Sequence, residues 1–256
     1  MTEDSRSLSG KVIVVTGAGQ GIGRAYAHSI AADGATLILA DVNVAGGNQV
    51  VSEIEAAGGS ASFFSLDVSN EDSCREFATA VATAHGRVDG LVNNAAIFST
   101  IAMHPFWEIS VAEWDRLMGV NLKGPWLVTT ALLDSLKASN GASIINISSD
   151  AVQLGRPGYL HYVASKAGLA GMTFSMANEL GGFGIRVNTV SPGPTYTEVQ
   201  RDTVSSDQKT AMLAQQNLHR EAHPDDIVGA VKFLLSDASG FITGQTLHVN
   251  GGLVHA

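Results

Sequence analysis

The stretch Thr16–Gly23, TGAGQGIG, constrains this chain more than any other. It lies between an apolar run, Val12-Ile13-Val14-Val15, and a segment from Arg24 to Ala32 that reads as helix. Gly17, Gly19, Gly21 and Gly23 remove side chains where a strand has to turn sharply into a helix. Such a helix aims free backbone N–H groups at an anion, so strand, turn and helix together form a cradle suited to a dinucleotide pyrophosphate. A tight turn with no ligand gives the same pattern, and GxGxGxG departs from the commoner GxGxxG. Later residues weigh toward the nucleotide.

The apolar runs then alternate with helical patterns. Ala35–Ala40 ends at Asp41, Ala61–Leu66 at Asp67-Val68, and Val88–Val92 at Asn93-Asn94-Ala95-Ala96. Ala142–Ile147 ends at Ser148-Ser149, Ile185–Val190 at Ser191-Pro192-Gly193-Pro194, and Thr246–Val249 at Asn250-Gly251-Gly252. Helices are expected over Val44–Ala57, from the Ser69 region to His85, over Val111–Leu136 with bends at Gly119 and Gly124-Pro125, over Tyr159–Leu180, and over Asp225–Leu235. Strands alternating with helices predict a parallel sheet covered on both faces. Its C-terminal strand ends would gather Asp41, Asp67, Asn93, Ser149 and the Pro192 loop along one crevice. No duplication or linker interrupts the pattern, so residues 1–256 are expected to form a single α/β domain. The polar stretch Thr195–Arg220 is long enough for a lid of one or two helices.

Composition excludes several classes of function. The formal charge is -9, with no lysine or arginine block, which disfavours nucleic acid or an acidic membrane surface as partner. A single cysteine, Cys74, permits no internal disulfide, and the eight histidines show no metal spacing such as HExxH, so no metal site is expected. The N-terminus lacks a basic start with an apolar core, and no apolar run is long enough to span a bilayer. A soluble, cytoplasmic protein is the expectation. Hydrophobic residues reach 45% and charged residues only 15%, enough for a large core and for surface hidden between subunits.

Four positions suggest chemistry by residue type. Asp41, at a strand end, can accept both hydroxyls of an adenosine ribose and would repel a 2'-phosphate. Gln20 and Val42 beside it offer no compensating cation, which favours NAD(H); a solvated loop aspartate is the plainer reading. Tyr162 and Lys166 stand four apart on an expected helix, hence on one face. A nearby ammonium favours phenolate and brings a tyrosine toward useful proton exchange at neutral pH. Ser149, at its own strand end, could hold a substrate oxygen. Such pairs are also common on solvated helices.

Taken together, TGAGQGIG, Asp67-Val68, NNAA (Asn93–Ala96), Asn121, Ser149, YVASK (Tyr162–Lys166) and PGPTYT (Pro192–Thr197) resemble the short-chain dehydrogenase/reductase family over essentially the whole chain. The resemblance implies a doubly wound, seven-stranded parallel sheet and hydride transfer between a nicotinamide cofactor and a secondary alcohol or its ketone. It implies that Tyr162 is the general acid/base, that Ser149 orients the substrate oxygen, and that Lys166 holds the nicotinamide ribose while biasing Tyr162. Asn121 would keep a water in the proton relay. Around the cofactor it places Gly17, Gln20, Gly21, Ile22, Gly23, Asp41, Val42, Asp67, Val68, Asn94, Ala95, Ala96, Pro192, Gly193, Thr195 and Thr197, together with Tyr162 and Lys166. Ala96 stands where glycine is usual and Thr195 where a branched aliphatic is usual.

The substrate pocket is expected from Phe98, His104, Leu154, Tyr159, Pro194, Tyr196 and Met212, with Asp150 either lining it or capping its strand. That mostly apolar set suggests a compact hydrophobic, cyclic or aromatic alcohol or ketone, with no arginine placed to clamp a carboxylate. Trp107 and Trp114 read as packing residues. The resemblance also implies a homotetramer packed through Val111–Leu136 and Tyr159–Leu180. A 3-oxoacyl-carrier-protein reductase, a sugar dehydrogenase and a non-catalytic dinucleotide-binding protein are the alternatives.

Overall fold

The computed structural model of the chain describes residues 7–199 and 206–255. Seven parallel strands form one sheet: β1 (Val12–Thr16), β2 (Thr36–Asp41), β3 (Ser60–Ser65), β4 (Gly90–Asn93), β5 (Ser143–Ile147), β6 (Arg186–Pro192) and β7 (Thr246–Val249). Their order, β3-β2-β1-β4-β5-β6-β7, reverses direction between β1 and β4, which opens a crevice at the strand C-termini. The expected α/β doubly wound sheet is thus present.

Both faces of the sheet are covered, which is why its strands are apolar without alternation. Ile13 and Val15 of β1, with Leu37 and Leu39 of β2, pack toward α1 (Gly21–Ala32), α2 (Val44–Ala56) and α10 (Pro224–Leu235) through Tyr26, Ile30, Val50, Ile54, Ile227 and Val231. The intervening Val12, Val14 and Ile38 face α3 (Glu71–His85), α5 (Gly124–Ala131), α6 (Leu133–Lys137) and α8 (Leu160–Leu180) through Phe77, Val81, Val128, Leu136 and Leu180. Cys74 belongs to this second core, where burial pushes its thiol up to about 11. Two short helices, α4 (Val111–Met118) and α7 (Ala151–Leu154), flank the crevice, and α9 (Ser206–Gln215) falls within the stretch 195–220. Residues 200–205 of that stretch lie outside the described residues.

Several boundaries differ from the sequence expectation for local reasons. The long helix over Val111–Leu136 divides into α4, one wide π turn over Gly119–Lys123, α5 and α6. Pro125 stands in the first turn of α5, where its missing N–H costs little. Strand β6 continues past Val190 because Ser191 and Pro192 pair with His248 and Val249 of β7. Asn70, rather than Ser69, caps α3, accepting from Ser73 N at 2.9 Å. Ser110 caps α4, accepting from Glu113 N at 3.2 Å.

A chain of buried polar side chains runs across the C-terminal half of the sheet. Asn93 Nδ2 donates to Asn146 Oδ1 at 2.9 Å and to Thr129 Oγ1 at 3.2 Å. Asn146 Nδ2 donates to Thr173 Oγ1 at 2.9 Å, and Thr173 and Thr189 share a hydroxyl contact of 2.8 Å. These residues fasten β4, β5 and β6 to α5 and α8. Replacing Asn146 by Ala strands partners on both sides, at about 1–3 kcal/mol for each unsatisfied buried group. Asn146→Ala should therefore lower unfolding stability by about 2–4 kcal/mol, read from urea denaturation, and Asn146→Asp should not restore it.

Candidate active site

The glycine turn is shaped by contacts as well as conformation. Gly17, at φ +66, brings its α-carbon so close to Ala95 that a Cβ would sit 2.7 Å from the Ala95 Cα. A Cβ at Gly23 would meet the Gly17 carbonyl oxygen at 2.0 Å, so this glycine lets the helix start fold back on the turn. Gly21, at φ +59, differs: a Cβ there would meet only Val199 and Thr197 at 3.4–3.8 Å. Its amide donates to Glu198 Oε1 at 2.8 Å. A carboxylate from the segment after β6 thus stands at the N-terminus of α1, where that helix favours an anion.

One cavity of about 770 Å³ runs from this turn along the crevice. At one end it is lined by Asp41, Val42, Asp67 and Val68, with Gly17, Gln20, Gly21, Ile22 and Gly23 beside them. Asp41 is held by two backbone amides: Oδ2 accepts from Gly19 N at 2.8 Å and Oδ1 from Asn43 N at 2.9 Å. Asp67 Oδ1 accepts from both the amide and the hydroxyl of Ser69, at 2.9 and 2.7 Å. Asn94, Ala95 and Ala96 form the middle of the wall, and Asn94 Nδ2 bridges to the carbonyls of Thr16 and Gly17 at 3.0 and 3.1 Å. Pro192, Gly193, Thr195 and Thr197 close the other side.

Ser149, Tyr162 and Lys166 line the far end. Helix α8 carries the last two on one face, and its buried N-terminal turns fix their direction. Lys166 is 3% exposed, and its Nζ donates to the Ile147 carbonyl at 2.7 Å and lies 5.9 Å from the Tyr162 ring centroid. Burial brings its ammonium down to about 8. Ser149 Oγ accepts from Ala151 N at 3.2 Å, at the start of α7. Asn121 sits in the π turn, fully buried, and is the one expected site residue that stands behind the cavity rather than on its wall. Its Oδ1 accepts from Ile97 N at 2.7 Å, and its Nδ2 donates to Ile97 O at 3.1 Å and to Ser165 Oγ at 3.4 Å. The wide turn lets one side chain hold the loop after β4 against α8.

The turn and cavity fit a dinucleotide. A glycine approach with no room for a side chain, a helix N-terminus already accepting a carboxylate, and the Asp41 carboxylate lie along one groove.

Some expected pocket residues lie elsewhere. Phe98, Leu154, Pro194 and Met212 line the cavity. Tyr159 does not; it is 1% exposed and packs behind Phe98, ring to ring at 6.0 Å. His104 turns away to Glu113 Oε1 at 3.1 Å, which His161 Nε2 also meets at 3.2 Å. The hydrogen bond from His104 is the foremost influence keeping the Glu113 carboxyl below its usual range. Tyr196 lies under Lys209, whose Nζ is 4.4 Å from its ring. Trp107 is 71% exposed and edge-on to Phe106, so it packs into no core.

Asp150 does not line the cavity; it serves at the strand end. Its carboxylate is 1% exposed and accepts from Ser191 Oγ at 2.7 Å, His248 Nδ1 at 2.6 Å and Asn250 Nδ2. Its amide donates to Pro192 O at 3.0 Å, so this one residue joins the ends of β5, β6 and β7. Sequence reading also missed Arg156, an arginine on the cavity wall. The available signal was its place between Gly155 and Pro157, in the turn leading from Ser149 to Tyr162.

Burial of Lys166 gives a pH dependence of fixed sign. Below about pH 8 the lysine is protonated in both folded and unfolded chains, and the cost of burying its charge is fully present. From about 8 up to its ordinary 10.5 the unfolded chain binds the extra proton, so this contribution to stability improves as pH rises. Lys166→Met should remove a rise of about 1.5 kcal/mol between roughly pH 8 and pH 9.5, measured as the difference between the two proteins' urea unfolding free energies.

The family model described as enoyl-(acyl carrier protein) reductase matches residues 17–254. A 3-oxoacyl-[acyl-carrier-protein] reductase of Thermotoga maritima is 37% identical over 247 residues, covering 96% of this chain and 99% of that protein. A cyclopentanol dehydrogenase of a Comamonas species is 36% identical over 246 residues, covering 96% and 97%. Among solved structures, a Beutenbergia cavernae protein described as an NAD(P)-dependent gluconate 5-dehydrogenase, with NADP bound at low occupancy, superposes with a TM-score of 0.91. It is 35% identical and covers 98% of this chain and 99% of that one. Fold, crevice and these likenesses agree: the chain is an oxidoreductase of the short-chain dehydrogenase/reductase family.

Proposed function

We propose that this protein interconverts a secondary alcohol and its ketone with NAD(H), acting on a small molecule with a hydrophobic, cyclic or aromatic body. The observation that carries the reading is the cavity itself: Asp41 stands at one end and Ser149, Tyr162 and Lys166 together at the other. When bound, the nicotinamide supplies the hydride chemistry. Tyr162 donates a proton to the carbonyl oxygen in reduction and removes it from the alcohol in oxidation. Ser149 orients that oxygen. Lys166, buried on the Ile147 carbonyl, keeps a positive charge beside the phenol and meets the nicotinamide ribose. Asn121 ties the loop after β4 to α8, and in this reading a water near it would extend the relay toward the lysine.

NAD(H) is favoured over NADP(H) by the fixed carboxylate of Asp41. Arg24, the basic residue of the neighbouring helix start, is already held by Glu53 through two hydrogen bonds of 2.7 and 3.1 Å. The Comamonas relative acts on an alicyclic alcohol, which supports the compact apolar body. The Thermotoga relative and the family model's description favour acyl-carrier-protein chemistry as a second reading. Asp41 and the net charge of -9, unsuited to an acidic carrier, weigh against it. We read the chain as one catalytic domain with a lid near 195–220, and as cytoplasmic; no described helix is long and apolar enough to cross a membrane. Exposed Val111, Trp126 and Phe174 on α4, α5 and α8 support a homotetramer packed through those helices.

Tyr162→Phe separates an enzyme from a binding protein. It should keep NADH binding, followed by fluorescence titration, while turnover across a panel of alcohols and ketones falls by about a hundredfold or more. Turnover that survives would remove Tyr162 from the proposed role. In the same titration, NADH should bind at least about tenfold more tightly than NADPH because Asp41 repels the added phosphate. Equal or tighter NADPH binding overturns the cofactor assignment.

A further inference from the structure

We propose that Arg156 determines specificity by binding a carboxylate on the substrate, so that the favoured substrate is a hydroxy acid or its oxo acid. The inference rests on the alcohol and ketone reading above and narrows its substrate class. Arg156 leaves the end of α7 on a fixed turn. Gly155 adopts φ +55, its amide donating to Val152 O at 3.2 Å, and the Arg156 amide donates to Ala151 O at 3.3 Å. Pro157 and Gly158 follow, and a Cβ on Gly158 would touch Met103 at 3.5 Å, so the turn is packed from outside. The backbone that carries the guanidinium is set before any ligand arrives.

The side chain lies over a ring. Arg156 Cζ is 4.6 Å from the centroid of Tyr159. Tyr159 is 6.4 Å from Tyr162, and Phe98 bridges the two at 6.0 and 4.7 Å. Arg156 and Tyr162 thus both adjoin the Tyr159 ring, and both line the cavity. The planar fork of a guanidinium is the group that receives a carboxylate through two parallel bonds.

No carboxylate among the described residues pairs with Arg156, although the chain holds 24 acidic and 15 basic side chains. Arg24, Arg75, Arg87 and Arg220 each have an acidic partner. The surrounding wall is Phe98, Leu154, Pro194 and Met212. Arg116 and Lys123 also line the cavity, and Lys166 is committed to the Ile147 carbonyl. The acid nearest in sequence, Asp150, points away into its own bonds with Ser191 and His248. An arginine with apolar neighbours and no internal counter-ion leaves this end of the cavity positive, and an anionic substrate completes it.

The test compares 3-oxocyclohexanecarboxylate with its neutral methyl ester. In the Tyr162→Phe protein saturated with NADH, where chemistry is blocked, calorimetry should give the acid about tenfold to a hundredfold tighter binding than the ester. Adding Arg156→Gln should bring that ratio close to one, and Arg156→Lys should retain part of it. Equal binding of acid and ester, or a preference that survives Arg156→Gln, overturns the proposal. Turnover by the unaltered enzyme tests the underlying reading separately. If the ester is reduced as readily as the acid, the anion inference fails alone; if neither is reduced, the alcohol and ketone reading fails with it.

Discussion

The hydrogen bonds from Asn146 to Asn93 and Thr173 hold the structure's working end together. Strand β5 places Asn146 in the middle of the sheet, and through Thr173 the strand is tied to the centre of α8. Two and three turns earlier on the same helix come Lys166 and Tyr162, and just beyond the same strand comes Ser149. Apolar packing alone lets a helix slide or rotate on a sheet at modest cost, because dispersion contacts are individually weak and non-directional. A buried amide that would lose its partners does not permit that freedom. The relative placement of phenol, ammonium and hydroxyl thus follows from polar groups that never touch the cavity.

Charge varies along the crevice. Asp41 and Asp67 stand at the first end, each held by backbone amides or a neighbouring hydroxyl, and Asp115, Arg116 and Lys123 line the same cavity. The second end holds Lys166 and Arg156. Between them lies the helix start of α1, where partial positive charge comes from the backbone itself. A molecule with hydroxyls at one end, phosphates in the middle and a reducible group at the other meets a suitable partner at each stage. The acidic node at Asp150 stays outside this gradient, because Ser191, His248 and Asn250 consume its lone pairs inside the protein.

Much of this was legible in the sequence because it depends on local rules. Apolar runs ending in Asp41, Asp67, Asn93 and Ser149 announce parallel strands and their crevice, and Gly17 and Gly23 announce backbone approaches that admit no side chain. Tyr162 and Lys166 announce a shared helical face. What could not be read depends on distant partners. Nothing near Asp150 in the chain predicts His248 or Asn250, and nothing near His104 predicts that Glu113 will draw it toward His161. Trp107 reads as a core residue by its bulk, yet its place in the turn before α4 leaves it outside any hydrophobic layer. Arg156 sits on a turn with a local signal, Gly155 and Pro157, but its place over the Tyr159 ring on the cavity wall depends on packing that the sequence does not display.

The bond between Glu198 and the Gly21 amide has a bearing on how the enzyme exchanges its contents. One N–H cannot serve two full acceptors, so a phosphate arriving there has to evict the glutamate. Glu198 follows directly on Thr197, which lines the same cavity, and precedes the stretch leading to α9. An anion drawn to the start of α1 and the Thr197–Glu198 segment therefore compete for the same backbone amide.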